Sequence, residues 1–234
     1  MKKIAILLLA ILIFSCSDDD EKGTVENKGQ WAMIKQRYFE EEISNEVNLS
    51  YSDNQVTVTT DYLTLVYTLN SEGYASQCVY SLSSQNRIYQ FSYSAEGYLT
   101  GIVENIDNTE YSSTSLTYEN GDITSISSKM NGLENKFIYE PGEESSTYHL
   151  PCLGLLEIHP LTFHIEALYA GLLGKDPRHF TIRSCPAGSN DEKTIYSYEF
   201  DKKGNPSRMI CQTTYAGGQA SYYPYTRNIS VSFE

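Results

Sequence analysis

The chain has little positive charge and only a short apolar run. Lys and Arg together number 17 against 30 Asp and Glu, which gives a formal net charge of −13 at pH 7. Nucleic acid recognition needs a basic surface, so this balance argues against a nucleic acid partner. The apolar run covers residues 4–14, only 11 residues. It is too short to cross a hydrocarbon core, for which a helix needs about 20 residues.

The sequence also lacks the motifs that carry catalysis or metal binding. It contains neither CxxC nor HExxH, and no nucleophile-elbow motif places a serine. His159 and His164 are five residues apart on a predicted helix, so their side chains would point about 140° apart, which does not suit one metal ion. We therefore predict a protein that is not an enzyme and has no metal site and no cofactor.

The N-terminus has the pattern of an exported protein. Lys2 and Lys3 precede the apolar run, which ends in Ser15 and Cys16. A short basic region followed by such a run is typical of a signal peptide. Its end resembles the lipobox of bacterial lipoproteins. The resemblance implies that residues 1–15 are removed and that Cys16 is acylated, so that its acyl chains partner the membrane.

An acidic run, which covers residues 17–21, follows Cys16 directly. Such runs are usually solvated tails, and we expect residues 16–30 to form a flexible tether. The run also resembles the surface-export signal of Bacteroidota-type lipoproteins. That resemblance implies an outer-membrane, lipid-anchored protein that faces the cell surface, with the signal formed by Ser17, Asp18, Asp19, Asp20 and Glu21.

A hairpin repeat dominates the remainder of the chain. Segments 66–78, 91–102 and 116–126 align on turn glycines Gly73, Gly97 and Gly121, which are spaced 24 residues apart, and a fourth copy carries Gly204. Each copy reads as a strand, a polar turn that needs a positive φ at glycine, and a return strand. We predict an all-β domain over residues 31–234, an antiparallel meander that forms a curved or barrel-like sheet.

Strand alternation assigns one inward face to each repeat. In the first, second and fourth copies, positions six and four before the glycine share that face with the position five after it. In the third copy, whose turn is one residue shorter, the first two are five and three before the glycine, at Leu116 and Tyr118. These positions are predicted to form the core. Cys78 and Cys211 lie at odd offsets after their glycines and also face inward. This position favours either burial as thiols or a mutual disulfide, and four cysteines besides Cys16 allow three pairings.

Segments outside the repeat are assigned from periodicity. Strands are predicted at residues 31–39, 47–51, 55–59 and 227–233, and a helix over 31–42 is the alternative for the first. Residues 141–192 interrupt the repeat. Within this insertion Leu161, Ile165, Leu168 and Leu172 follow helical spacing between Pro160 and Gly174. They predict one amphipathic helix at about 160–173.

Two further segments complete a family resemblance. The repeat is followed by AGLLGKDPRHF at 170–180 and YSYEFDKKGNPSRM at 196–209. This arrangement resembles a Bacteroidota lipoprotein family of unknown function with a porin-like fold. The resemblance implies a curved or barrel-like sheet and assigns no catalytic residue.

Tyrosines near the C-terminus are the best candidates for ligand contact, namely Tyr215, Tyr222, Tyr223 and Tyr225. The alternative is a strand connection whose tyrosines cap the core. We expect a surface-anchored lipoprotein that acts as a ligand-binding module for a glycan, a peptide or an apolar small molecule, without catalysis. The alternative function is a structural or protein-interaction lipoprotein with an envelope protein as partner.

Overall fold

The computed structural model describes residues 33–38, 43–60, 63–82, 85–145, 159–189, 191–200, 202, 206–215, 225–228 and 232–233. Within them, residues 33–38, 43–46, 81–82, 206–209, 225–228 and 232–233 are described by their backbone. The predicted signal peptide and tether, including Cys16 and residues 17–21, lie outside the described residues, as do Tyr222 and Tyr223.

Strands make up most of the described chain, which confirms the all-β prediction. The strands are β1 Met33–Tyr38, β2 Ile43–Ser52, β3 Gln55–Thr59, β4 Thr64–Leu69, β5 Ala75–Leu82, β6 Gln85–Tyr93, β7 Leu99–Ile106, β8 Thr109–Glu119, β9 Asp122–Met130, β10 Leu133–Ser145, β11 His179–Pro186, β12 Lys193–Phe200, β13 Pro206–Thr214, β14 Tyr225–Asn228 and β15 Ser232–Phe233. The first predicted segment, at residues 31–39, therefore contains a strand, β1, and not the alternative helix.

The strands form one antiparallel meander, as predicted. The strand order is β14-β13-β12 and so on down to β2-β1-β15. β14 pairs with β13, and β15, just beyond it in the chain, pairs with β1. The predicted strand over 227–233 therefore overlaps two short strands, β14 and β15, which pair at opposite edges of the meander. No ladder joins β14 to β15 in the part of the chain that the structure describes, so the hydrogen-bonded sheet is open there.

This pairing requires a strongly curved sheet. β13 and β1 are 12 strand steps apart in the sheet order, which would be about 58 Å if the sheet were flat. The chain between Asn228 and Ser232 spans at most about 14 Å. Both pairings are satisfied only when the sheet curls, which brings β13 and β1 to the two sides of the C-terminal stretch.

The turn glycines have the backbone conformation that the repeat predicts. Gly73, Gly97 and Gly121 have φ values of 83°, 90° and 85°, in the region that side chains with a Cβ rarely adopt. Gly204 lies outside the described residues. These turns lie at one end of the sheet, here called the glycine-turn end. The opposite end, here called the cleft end, carries the turns at residues 107–108, 131–132 and 187–189.

The inward face of the repeat is the core, as predicted. Positions before and after the turn glycines are buried at Tyr67, Phe91, Cys78, Ile102 and Ile126. Burial raises the pKa of the Cys78 thiol to about 12, so it stays protonated. The alternation of strand residues was therefore sufficient to identify the core face.

Of the two alternatives for Cys78 and Cys211, the mutual disulfide is not formed. Both residues, and Cys185, are thiols. Cys78 lies on β5 and Cys211 on β13, eight steps away in the strand order, whereas a disulfide needs Cα atoms about 4.4–6.8 Å apart. A shared inward face does not make two strands neighbours. The alternative, burial as packed thiols, is correct: Cys78 is in the core and Cys211 packs against it.

The interruption of the repeat is shorter than predicted. β10 continues through Pro141 to Ser145, and its pairing with β11 shifts register at Glu140 and Pro141. A bulge of this kind accommodates a proline, which has no N–H to donate to the ladder. β11 begins at His179 and belongs to the sheet. Of the predicted interruption, residues 141–145 and 179–186 are therefore strand, and the described residues 159–178 lie outside the meander.

The predicted continuous helix over 160–173 is also wrong in its length. A 3₁₀ turn at Leu161–Phe163 is followed by a short α-helix, α1, at Ile165–Tyr169. His164 between them has φ −125°, which breaks the helical path, and Gly171 turns left-handed with φ 71°. No described helix is long and apolar enough to cross a membrane. The apolar positions are nevertheless all buried, at Leu161, Ile165, Leu168 and Leu172.

Residues 159–178, here called the inner segment, cover the concave face of the sheet. Within the sheet the Tyr67 hydroxyl meets His164 Nδ1 at 2.9 Å. The segment then runs along the glycine-turn end, where Ala75 N donates to Leu172 O at 2.7 Å. Lys175 N and Arg178 N donate to the carbonyls of Gly97 and Gly121 at 2.9 and 3.0 Å. The turn glycines thus bind the inner segment as well as reversing the chain.

Substitution of two positive-φ glycines by alanine tests this packing. Gly73 and Gly174 have similar φ values, 83° and 85°. A Cβ at Gly73 meets nothing within 4 Å, whereas one at Gly174 would lie 2.6 Å from Gly97 O. Gly73→Ala should lower the free energy of unfolding by about 1–2 kcal/mol through backbone strain, and Gly174→Ala by a further ~1–3 kcal/mol through overpacking. Urea denaturation measures both, and equal losses would contradict the close contact.

Candidate functional site

A fully buried carboxylate lies on the inner face of β7. Glu104 Oε1 accepts from Arg87 Nη1 at 2.9 Å and from the Tyr89 hydroxyl at 3.2 Å. Its Oε2 accepts from Ser112 Oγ at 2.8 Å and from His159 Nε2 at 3.0 Å. These five residues, here called the Glu104 cluster, join β6, β7 and β8 to the start of the inner segment.

The electrostatics of the Glu104 cluster favour a structural role. Burial by itself raises the pKa of Glu104, but hydrogen bonds from His159 and Ser112 and the charge of Arg87 outweigh it and lower the pKa to about 2. A general acid or base works best with a pKa near the working pH. Glu104 also lies between Ser112 and His159, so the histidine does not contact the serine hydroxyl. The cluster therefore does not contain a serine hydroxyl bonded to a histidine, which is the arrangement that activates a serine nucleophile.

His164 is a core residue at the centre of an aromatic group. Its ring makes T-shaped contacts with Tyr89 and Phe91, at centroid distances of 4.4 and 5.2 Å. Burial lowers the pKa of His164 to about 3, so the ring is neutral. His164 Nε2 has no hydrogen-bond partner among the described residues. No three His, Cys, Asp or Glu side chains in that part of the chain are grouped to hold a metal ion.

A cleft of about 230 Å³ lies on the inner face at the cleft end, between β10, β11, β12 and β13. Phe137 and Tyr215 are exposed aromatic walls, with 37% and 58% of their surface accessible. Between them lie Ser184, Thr194 and Thr213. Glu192 and Lys193 complete its rim, one charge of each sign.

Strand register explains why these residues meet. Phe137 pairs with Ile126, which is buried in the core, so Phe137 faces inward. Ser184 pairs with Thr194, and Thr194 pairs with Thr213. Cross-strand partners share one face of a sheet, and Tyr215 follows Thr213 by two residues, just after β13 ends. The cleft thus combines residues from four consecutive strands of the meander.

Hydroxyl groups in the cleft retain hydrogen-bonding capacity. Thr194 Oγ1 and Thr213 Oγ1 are 3.0 Å apart, and Ser184 Oγ is 2.9 Å from the Tyr196 hydroxyl. Each hydroxyl has one donor and two acceptor positions. The bond between Thr194 and Thr213 therefore leaves acceptor positions, and one hydroxyl donor, available to a third group.

The structure places one of the predicted ligand-contacting tyrosines in the cleft. Tyr215 lines it. Tyr225 begins β14 opposite Cys211, and its side chain is not among those described. Phe137, Thr194 and Thr213 were not identified from the sequence, although strand alternation places Phe137 on the core face. An aromatic residue at an inward position near a strand end is the signal that was available.

Comparison with known families decides the classification. Residues 16–208 match the model of the family described as a domain of unknown function (DUF4595) with porin-like fold. The chain belongs to this family. The crystal structure of a porin-like protein from Bacteroides uniformis ATCC 8492 is similar to the DUF4595 chain, with a TM-score of 0.71 and 25% sequence identity. The match covers 86% of this chain and 84% of that one. Curated proteins gave no match.

Membership in the DUF4595 family confirms the porin-like fold that the resemblance implied. In this member the concave face is covered by the inner segment, whose Leu161, Leu168 and Leu173 are buried. The cleft lies on that face beyond the inner segment, among the described residues of β10 to β13.

Acid denaturation tests the role of the Glu104 cluster. The folded pKa of about 2 lies below the ~4.3 of an unfolded Glu. Glu104 therefore adds stability that is fully present above about pH 5 and is lost as the pH falls toward 2. At pH 7 Glu104→Gln should lower the free energy of unfolding by about 2–3 kcal/mol, since charged hydrogen bonds are lost. Urea titrations across this pH range should show the deficit shrinking.

Glu134→Gln is the matched control for this measurement. Glu134 is exposed, and its Oε1 accepts a bond from Ser127 Oγ at 2.6 Å. The change should cost less than about 1 kcal/mol at any pH. A Glu104→Gln deficit that stays constant from pH 7 to 2 would contradict the charged state assigned to Glu104.

Proposed function

We propose that this protein is a surface-anchored outer-membrane lipoprotein whose β domain binds a ligand without catalysis. The observation that carries the proposal is the cleft, which has exposed aromatic walls and hydroxyl groups between them. Ligand sites are typically concave and mainly apolar, with a few polar groups that fix orientation. The lipobox-like sequence before Cys16 and the acidic run after it support the location.

The direction of β1 supports an outward-facing cleft. β1 starts toward the glycine-turn end, because Met33 pairs with Asn48 while Tyr38 pairs with Ile43, farther from the turn at Asp53. The described chain therefore begins at the glycine-turn end, and the cleft lies at the opposite end of the sheet. A lipid anchor upstream of Met33 would thus join the domain at the end opposite the cleft.

A second function, interaction with an envelope protein, is favoured by one observation. Ile182 and Ile195 lie on the neighbouring strands β11 and β12, and 44% and 41% of their surface is accessible. Exposed apolar side chains on adjacent strands suit a protein contact. They lie outside the cleft, so the two functions are separable by mutation.

Cell fractionation with protease digestion tests the location. Replacing Asp18, Asp19, Asp20 and Glu21 by Asn or Gln should leave the protein in the membrane fraction but protect it from external protease, because the export signal is lost. Cys16→Ala should release the protein from membranes, because no acyl chains are added. Retention of Cys16→Ala in the membrane fraction would refute the lipid anchor, and unchanged protease sensitivity of the neutral variant would refute the export signal.

A thermal-shift screen tests ligand binding. The panel should include glycans, short peptides and apolar small molecules, and a ligand at 100 times its Kd should stabilise the protein by about 2.7 kcal/mol. Tyr215→Ala should abolish the shift, and Ile195→Ala should retain it. A broad panel without any shift, or a shift that Tyr215→Ala leaves unchanged, would count against the cleft as the binding site.

A further inference from the structure

We infer that the cleft between β10 and β13 binds a single ring of an uncharged carbohydrate. This inference rests on the proposed ligand-binding function and narrows it to one class of ligand. A sugar ring has apolar C–H faces and a polar edge of hydroxyl groups. Its binding site therefore needs aromatic faces and nearby hydrogen-bonding groups, and the cleft supplies both.

The aromatic walls come from two separate places in the meander. Phe137 is on β10, and Tyr215 follows β13, with β11 and β12 between them. Both side chains face the interior at the cleft end and remain exposed, although aromatic residues elsewhere on this face, such as Tyr67 and Tyr89, are buried. An exposed aromatic side chain at an inward position leaves its ring free to pack on a ligand.

Hydroxyl groups between the walls match the edge of a sugar. Thr194 and Thr213 hydrogen-bond to each other at 3.0 Å and keep the capacity for further bonds. Ser184 lies beside Thr194 on the adjacent strand. Sugar hydroxyls are themselves both donors and acceptors, so they can complete such a network without leaving a group unpaired.

Charge in and around the cleft favours an uncharged ligand. Its rim has one acidic and one basic residue, Glu192 and Lys193, which balance each other. The chain as a whole has a net charge of −13, which repels anions such as phosphate or uronate groups. Among the described residues that line the cleft, Glu192 is the one carboxylate, so no second one is there to bind a cation.

Size limits the ligand to one ring. The volume of about 230 Å³ is below the ~300–1,000 Å³ that is typical of pockets for drug-sized ligands. We expect a terminal or single sugar to enter while the remainder of a longer glycan stays in solvent. Few atoms then contact the protein, so a Kd in the millimolar range is expected for a monosaccharide.

Saturation-transfer NMR on the mature chain tests the inference. The probes are neutral methyl pyranosides of differing stereochemistry, and the comparison probes are N-acetyl aromatic amino acid amides and short alkyl alcohols. At least one pyranoside should bind, and Phe137→Ala or Tyr215→Ala should weaken it at least tenfold. Thr213→Val, which removes one hydroxyl with little change in volume, should weaken it about fivefold.

Phe200→Ala is the matched control, because Phe200 is exposed to the same 37% as Phe137 but lies toward the glycine-turn end. It should leave pyranoside binding unchanged. Binding of the amides or alcohols that depends on Phe137 and Tyr215, without any pyranoside binding, would overturn the carbohydrate class and leave the proposed function standing. If no probe binds in a cleft-dependent way, both are overturned.

Discussion

The curved sheet depends on the burial of the inner segment against its concave face. Strands that alternate apolar and polar residues need a cover for one face. Here Leu161, Ile165, Leu168 and Leu172 provide that cover, and the carbonyls of Gly97 and Gly121 bind the same segment at the end of the sheet. Curvature brings these groups within reach of each other, so the shape of the sheet and the path of the segment are mutually dependent.

Because the inner segment fills the interior of the sheet, the residues that stabilise the fold differ from those that line the cleft. Hydrogen bonds join His159 of the inner segment to Glu104 and His164 to the Tyr67 hydroxyl. At physiological pH Glu104 stays ionised and His164 stays neutral. Side chains at the cleft end are not covered in this way. Among the described residues, the porin-like architecture thus combines a packed interior with an accessible cleft, and sequence changes in the cleft are expected to have little influence on the core.

Local features of the sequence predicted most of the fold. The turn glycines and the two-residue alternation depend only on neighbouring residues, so the hairpins, the core face and the meander were predictable. The helix length was not, because His164 follows a path set by Tyr67, Tyr89 and Phe91 on distant strands. The alternatives for Cys78 and Cys211 could not be decided for a similar reason. Alternation assigns a residue to a face of the sheet but does not give the order of the strands. Of the cleft, only Tyr215 was identified, because the site depends on the register of four strands.

The separation of β14 and β15 has a consequence for how the protein matures. Nearly all ladders join strands that are consecutive in sequence, so they close short loops and can form early. The pairing of Ile34 with Phe233 spans almost the whole chain. It forms only after the last strand has been made, and until then the outer edge of β1 is unpaired. During that period β1 can pair with another exposed strand, and the period ends when β15 joins it.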